Sequence, residues 1–371
     1  MSKKYEISRE AQVLLKLLRI ALSTEPTAED GKRSELFPEN IDWREVIRLS
    51  YEQKVSSLAA DGLKASGYDP REGKSGRQLE EFNAILAPWL EDVKNSEESY
   101  AYYLTVLSTL CQIFSANGLK PVILKGYGLS RDYPIPSHRG AGDIDFYLLD
   151  ENDRPAGKRG DELLQGQYAA LFHKMEHQNS YHTQYSFKGI ILENHYSIIG
   201  EFHDKGKEQL LEKHLEALIA EGYTPAPDVE GAYLPSAEFT ALHLMRHSFA
   251  HCYFGTLNLR QLVDYYTFMR KVGSREILDK DILHKTGLTT FADCIEDIIQ
   301  MLLVDENWNV KDEYATDLLV RDIFVHHPEI RGIRNFFHWY HERERIKYLT
   351  GESWVLLTLR SVWQHMLGRV V

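Results

Sequence analysis

The chain reads as an α+β protein, a small mixed sheet with its own helices, flanked by N- and C-terminal helical regions, and three observations predict it. Apolar residues recur at helical spacing through 9–22 and 80–116. Short runs of strand character follow at 121–124, 143–149 and 185–199. Beyond Pro225, Pro227 and Pro235 helical spacing resumes to the end. With 371 residues the chain exceeds what one hydrophobic core serves, so parts are expected. They are a helical region over 1–95, a core over 96–205, and a helical region over 206–371 that closes a cleft.

Taken in order, Ser8 can cap a first helix whose stripe is Ala11, Leu14, Leu15, Leu17, Leu18, Ala21 and Leu22. Asp42 and Glu45 resemble a capping box ahead of Trp43, Val46, Ile47 and Leu49, so a second helix starts there. Glycine, proline and charge interrupt the pattern from 66 to 76. The helical tract from 80 to 116 then delivers the chain into Gly118. Pro121, Val122, Ile123 and Leu124 form a buried strand bounded by Gly118 and Gly126. From 143 to 149, Ile144, Phe146 and Leu148 alternate with Asp143, Asp145 and Tyr147, which predicts a strand with one wet face. A loop over 150–160, a helix over 161–176, and one or two strands over 185–199 turning at Lys188 and Gly189 complete the core. The chain has no internal repeat or low-complexity tract.

Charge narrows the partners. Lysine and arginine number 43 against 55 acidic residues, a net −12 that repels a long nucleic-acid backbone. Cys111, Cys252 and Cys294 stand far apart, outside any CxxC pair, which suits a reducing cytoplasm better than a disulfide framework or cysteine zinc site. Residues 1–10 lack an apolar leader core, and no apolar run approaches the ~20 residues that span a bilayer, so secretion and membrane insertion are not expected. Neither a G-x-S-x-G elbow nor a P-loop occurs.

The chemistry concentrates between Lys120 and Asp150. On an extended strand, side chains two apart point the same way at roughly 6.6 Å. Asp143 and Asp145 can therefore converge on one or two cations, with Ile144 turned to the core. Hard carboxylate oxygens select Mg²⁺ or Mn²⁺, and Glu193, within Ile191 to His195, is the expected third carboxylate from a neighbouring strand. Gly126 lets the backbone approach phosphate oxygens, the helix after it offers free N–H groups, and Lys125 and Arg139 add positive charge. A D-x-D alone is a common wet strand face. The lysine–glycine turn, the Arg139 to Gly142 loop and Glu193 together make the specific pattern.

Leu124, Lys125, Gly126, then Tyr133, Pro134, then Arg139, Gly142, Asp143, Ile144 and Asp145 resemble a largely uncharacterised bacterial nucleotidyltransferase family of the DNA polymerase β-like superfamily. The likeness extends to Glu193, His195 and Tyr196, to Leu242–His247, and to Leu259, Arg260, Leu262 and Asp264, covering about residues 10–270. It implies a polymerase-type palm with metal on Asp143, Asp145 and Glu193. It also implies transfer of a nucleoside monophosphate from an NTP such as ATP to a hydroxyl of a small molecule or a protein side chain, releasing pyrophosphate. Lys125, Gly126 and Tyr127 stand where many relatives carry Gly, Ser, which admits an alternative: a catalytically degenerate module that binds nucleotide or a partner.

His243, His247 and His251 recur every four residues on a helix capped by Ser236. Leu244 stands where a zinc protease needs its glutamate, so a polar wall or hydrogen-bonded packing outweighs zinc. Arg260 and Asp264, at i and i+4, read as a helix-surface pair. With His195, His243 and His247 they are the residues expected to shape an acceptor pocket. Between 331 and 348, Arg331, Arg334, Arg343, Arg345 and Lys347 mingle with Phe336, Phe337, Trp339 and Tyr340, while Glu342 and Glu344 interrupt the charge. Core packing is expected there ahead of RNA stacking. The last amphipathic stretch, Trp354, Leu356, Leu357, Leu359, Val362, Trp363, Met366 and Leu367, is expected to dock on its own chain.

Overall fold

Ser8 accepts a hydrogen bond from the Ala11 amide at 3.1 Å and starts α1 (Arg9–Leu22), and Asp42 caps α2 (Trp43–Glu52) in the same way. This computed structural model describes residues 7–23, 37–38, 40–140, 142–175, 181–200, 204–324 and 343–351, with 353, 355 and 357. α3 (Ser56–Ser66) follows directly, and α4 (Gly76–Ala116) runs on through Pro88. Its second half buries Tyr103, Val106, Leu107, Leu110, Cys111 and Phe114 on one face of the sheet.

The sheet has the order β3-β4-β5-β2-β1-β7-β6, from β1 (Lys120–Ile123), β2 (Asp143–Leu149), β3 (His173–Lys174), β4 (His182–Phe187), β5 (Ile190–His195), β6 (Tyr223–Pro225) and β7 (Tyr233–Pro235). β2 pairs antiparallel with β1 and parallel with β5, and β1 pairs parallel with β7. The hairpin of β4 and β5 turns at Lys188 (φ 50°) and Gly189 (φ 80°), as expected for a two-residue turn with both φ values positive.

The wet face expected on β2 is a correction. Ile144, Phe146 and Leu148 pack into the core under α4, and full burial of a side chain like Phe146 contributes about 2–3 kcal/mol. Tyr147 and Leu149 pack on the opposite face into a second core with residues of α7 (Lys205–Glu221), α8 (Ala237–Tyr253) and α9 (Leu259–Val272). Asp145 on that face is 1% exposed. Helices from the C-terminal part roof the strand, so period-two polarity here marks a lined cleft rather than solvent.

The same second core takes in Leu14, Leu17 and Leu18 of α1, Val46 of α2 and Leu58 of α3, so helices from both ends of the chain close together. After the single turn α5 (Tyr127–Ser130) and the 3-10 turn Pro136–Arg139, β2 leads to α6 (Gly157–Gln165). The helix expected over 161–176 therefore begins earlier and stops at Gly166, and His173–Lys174 is strand. Gly160 explains its placement: a Cβ there would lie 2.1 Å from Leu148 Cδ1, so only glycine lets α6 sit on β2. Two three-residue strands lie where a plain connector was expected, each ending in a proline, and the outer one, β6, is an edge strand that tolerates the missing donor.

α10 (Lys280–Thr286), α11 (Thr289–Ile299) and α12 (Glu313–Phe324) follow. The three cysteines are buried and free, and no helix among the described residues is long and apolar enough to cross a membrane. Arg343 and Arg345 are buried, Arg345 against Asp322, so neither can stack on RNA. Arg331, Arg334, Phe336, Phe337, Trp339, Tyr340 and Glu342 lie outside the described residues. So do Trp354, Leu356, Leu359, Val362, Trp363, Met366 and Leu367.

Candidate active site

The parallel register of β2 and β5 sets Asp145 opposite Glu193 and Tyr147 opposite His195. Asp143, Asp145 and Glu193 each offer a carboxylate oxygen, and these atoms lie within 4.8 Å of one another. One side of the strand pair thus gathers the three acids expected from the sequence. A buried oxygen of Asp145, Oδ2, has no hydrogen-bond partner among the described residues. A dry, anionic, unpaired oxygen beside two more carboxylates fits a hard divalent cation. His182, Glu193 and His195 form an overlapping set within the same reach.

Two of the acids, Asp145 and Glu193, are held by side-chain donors. Leu124 N–H donates to the Asp145 carbonyl at 3.0 Å, which continues the β1–β2 ladder by one residue and sets Lys125 beside Asp145. The Lys125 ammonium lies 3.1 Å from Asp145 Oδ1. Burial opposes its charge, but Asp145 and Asp143 outweigh that and raise its pKa. His195 Nδ1 donates to the Ser197 carbonyl at 3.1 Å, and its Nε2 faces Asp145 Oδ1 at 3.2 Å and Glu193 Oε2 at 3.5 Å. Against burial, these hydrogen bonds lift the imidazole to about 9, which favours the protonated form that donates to both acids. Gln184 Nε2 donates to Glu193 Oε1 at 2.7 Å. Asp145 is pushed well below the usual carboxylate range: burial works the other way, and Lys125 and His195 overcome it. Asp143 moves up, from burial and then from the Asp145 charge. Carboxylates that share one site raise each other's pKa, and here Asp143 takes that rise while Lys125 and His195 spare Asp145.

Gly126 takes φ 71°, and a Cβ there would meet the Tyr103 hydroxyl at 3.1 Å, so the bend after β1 requires glycine. The helix behind it is one turn, too short to supply the expected anion-binding terminus; positive-φ backbone alone remains at that bend. Arg139 is corrected as well. Its Nε and Nη2 donate to the two carboxylate oxygens of Asp264 at 2.8 and 2.9 Å, and the Tyr133 hydroxyl donates to Oδ1 at 2.7 Å. The guanidinium is 7% exposed and committed to α9 rather than free for phosphate. Asp264 therefore does not pair with Arg260, and the helix-surface pair expected from their spacing is absent.

A cleft of about 360 Å³ opens before the acids, lined by Lys125, Gly126, Arg139, Asp143 and Glu193 from the core and by Lys54, His243, His247, His251, Arg260, Gln261 and Asp264 from the helical parts. Of the residues expected to shape an acceptor pocket, His243, His247, Arg260 and Asp264 line this cleft, and His195 lies in the acid cluster. The α8 histidines are kept neutral by burial first and the Lys125 charge second, His243 down to about 3 and His251 down to about 4. His247 Nε2 and His251 Nε2 are 3.2 Å apart, and His251 Nδ1 is 2.8 Å from Thr256 Oγ1. The three imidazoles line the cleft together as a polar wall. Lys54, Gln184 and Gln261 were not singled out from the sequence. Lys54 comes from the turn after α2, about 90 residues upstream of the acids, and no local motif marks it.

A helix-flanked α+β core with three carboxylates on paired parallel strands is a nucleotidyltransferase-like architecture. Residues 39–295 match the model of a family described as uncharacterised nucleotidyltransferase, and the chain belongs to that family. The match starts later and ends later than the residues 10–270 expected, and includes α2, the acids, and α8 through most of α11. No curated protein and no solved structure matches the chain.

Proposed function

We propose that the chain moves a nucleoside monophosphate from an NTP to a hydroxyl-bearing acceptor, with Asp143, Asp145 and Glu193 as the catalytic acids. The observation that carries this reading is the convergence of three carboxylate oxygens within 4.8 Å, one of them buried without a partner. Mg²⁺ or Mn²⁺ held by these three would supply Lewis acidity at the phosphate and lower the pKa of the attacking hydroxyl. The chain's own groups supply orientation. His195 fixes the Asp145 carboxylate and Gln184 fixes that of Glu193. Lys125 screens the developing negative charge, and the bend at Gly126 admits phosphate close to backbone. Arg139, Tyr133 and Asp264 pin the loop before Asp143 onto α9, so the acids and the opposite wall keep a fixed spacing. The acceptor oxygen attacks the α-phosphorus, its proton leaves to a neighbouring base, and pyrophosphate departs. A cleft of about 360 Å³ suits a small acceptor, falling within the range of small-molecule sites.

Incubation with the four NTPs and Mg²⁺ tests the reading through pyrophosphate release. Asp145→Asn removes a charge at unchanged shape, so release should vanish while the melting temperature stays within a few degrees. Turnover equal to wild type in that variant sinks the assignment. Metal-dependent NTP binding without release would favour a sensor. Labelled ATP in lysate then separates a small-molecule acceptor from a protein side chain.

A further inference from the structure

Four lysine and arginine side chains line the cleft, and two are already neutralised: Lys125 by Asp145 and Arg139 by Asp264. Lys54 and Arg260 make no ion pair among the described residues, and the buried Nε of Arg260 has no hydrogen-bond partner there. The fold brings these two together. Gln53, 4% exposed, donates from Nε2 to the Ile323 carbonyl at 2.7 Å and accepts from the Leu259 amide at 2.9 Å. That amide is the residue before Arg260, so the side chain next to Lys54 is fastened to the start of α9.

Backbone chemistry makes Lys54 unusual. Its N–H bonds the Tyr51 carbonyl and that of Val55 bonds the Ser50 carbonyl, both at 2.9 Å, so Lys54 ends α2 as the left-handed residue of a Schellman motif. Its φ is 56°, a conformation that glycine adopts freely and a lysine pays for in strain. Partial burial, then repulsion from Arg260, lowers the Lys54 pKa, with the Asp143 charge acting the other way.

We infer that Lys54 and Arg260 form the binding site for the β- and γ-phosphates of the nucleotide. The inference rests on the nucleotidyltransferase reading for the identity of the ligand, while the anion site itself stands on the two unpaired cations. Polyphosphate fits because it presents several charged oxygens along one chain and would reach from the acids to the opposite wall.

Calorimetry of the full chain with inorganic tripolyphosphate and with AMP, each with Mg²⁺ and with EDTA, tests it on wild type, Lys54→Gln, Arg260→Gln and the double variant. Each single change should weaken tripolyphosphate by about tenfold and the double by about 100-fold, the loss of charge-assisted contacts, with AMP affinity unchanged within about twofold. Lys54→Gly should weaken tripolyphosphate as much as Lys54→Gln while raising the melting temperature, which separates loss of charge from loss of fold. Equal tripolyphosphate binding by wild type and double variant overturns the site, as does absence of binding to wild type or a parallel loss of AMP. Glycerol phosphate, a monoester probe, distinguishes the source: weakened monoester binding with intact tripolyphosphate binding would move the site to the acceptor and overturn the assignment. If tripolyphosphate binds through the pair while no NTP is turned over, the anion site stands and the transferase reading falls.

Discussion

The two walls of the cleft are built on opposite principles. On the sheet side, the ladder of β1, β2 and β5 sets positions, and Asp145 and Glu193 each meet a named donor: Lys125, His195 and Gln184. On the helix side, the imidazoles of α8 are held neutral, and Lys54 and Arg260 make no ion pair among the described residues. A finished electrostatic site faces an unfinished one. On the proposed reading, the sheet wall is preorganised for a cation, whereas the helix wall awaits an anionic ligand.

The strongest way to break this contrast is at the acids: Asp145→Asn should reduce pyrophosphate release on the order of 10³-fold or more, read by a coupled assay. Next comes the link between the walls. Asp264→Ala strands a buried guanidinium, which costs about 3–5 kcal/mol and lowers the melting temperature by roughly 2–4 °C per kcal/mol in scanning calorimetry. An unchanged melting curve would show that the walls are not joined through Arg139. Gln184→Ala removes the donor that orients Glu193 and should weaken Mn²⁺ affinity by roughly tenfold, measured by titration. The smallest effect is on the histidine wall. His243 and His251 have folded pKa values below the unfolded 6.5, so the unfolded chain binds more protons as pH falls. Their contribution to stability is present above about 6.5 and is lost as pH drops toward about 4 for His251 and about 3 for His243. His251→Asn should flatten that acid limb of the melting temperature, and an unaltered slope contradicts it.

How much was legible follows from where each wall's information lies. Asp143, Asp145 and Glu193 were readable because strand periodicity and a D-x-D are local, and a parallel neighbour carries the third acid into register. Arg139 was read as a free cation because its partner Asp264 lies on α9, beyond any window in which pairing is visible. Lys54 was missed for the same reason, since only the Gln53 bridge to Leu259 brings the end of α2 to the cleft. The helix placed at 161–176 overran because apolar spacing continued past Gly166, where the chain leaves the helix for β3. The face of β2 was expected wet because a lined cleft and bulk water both ask for polar residues at alternate positions.

The outermost strands carry a consequence for assembly. On one border the paired backbone covers only His173–Lys174, and on the other Tyr223–Pro225 ends in a residue with no amide proton. Among the described residues neither border strand is long, which limits the row of open amides offered to another chain.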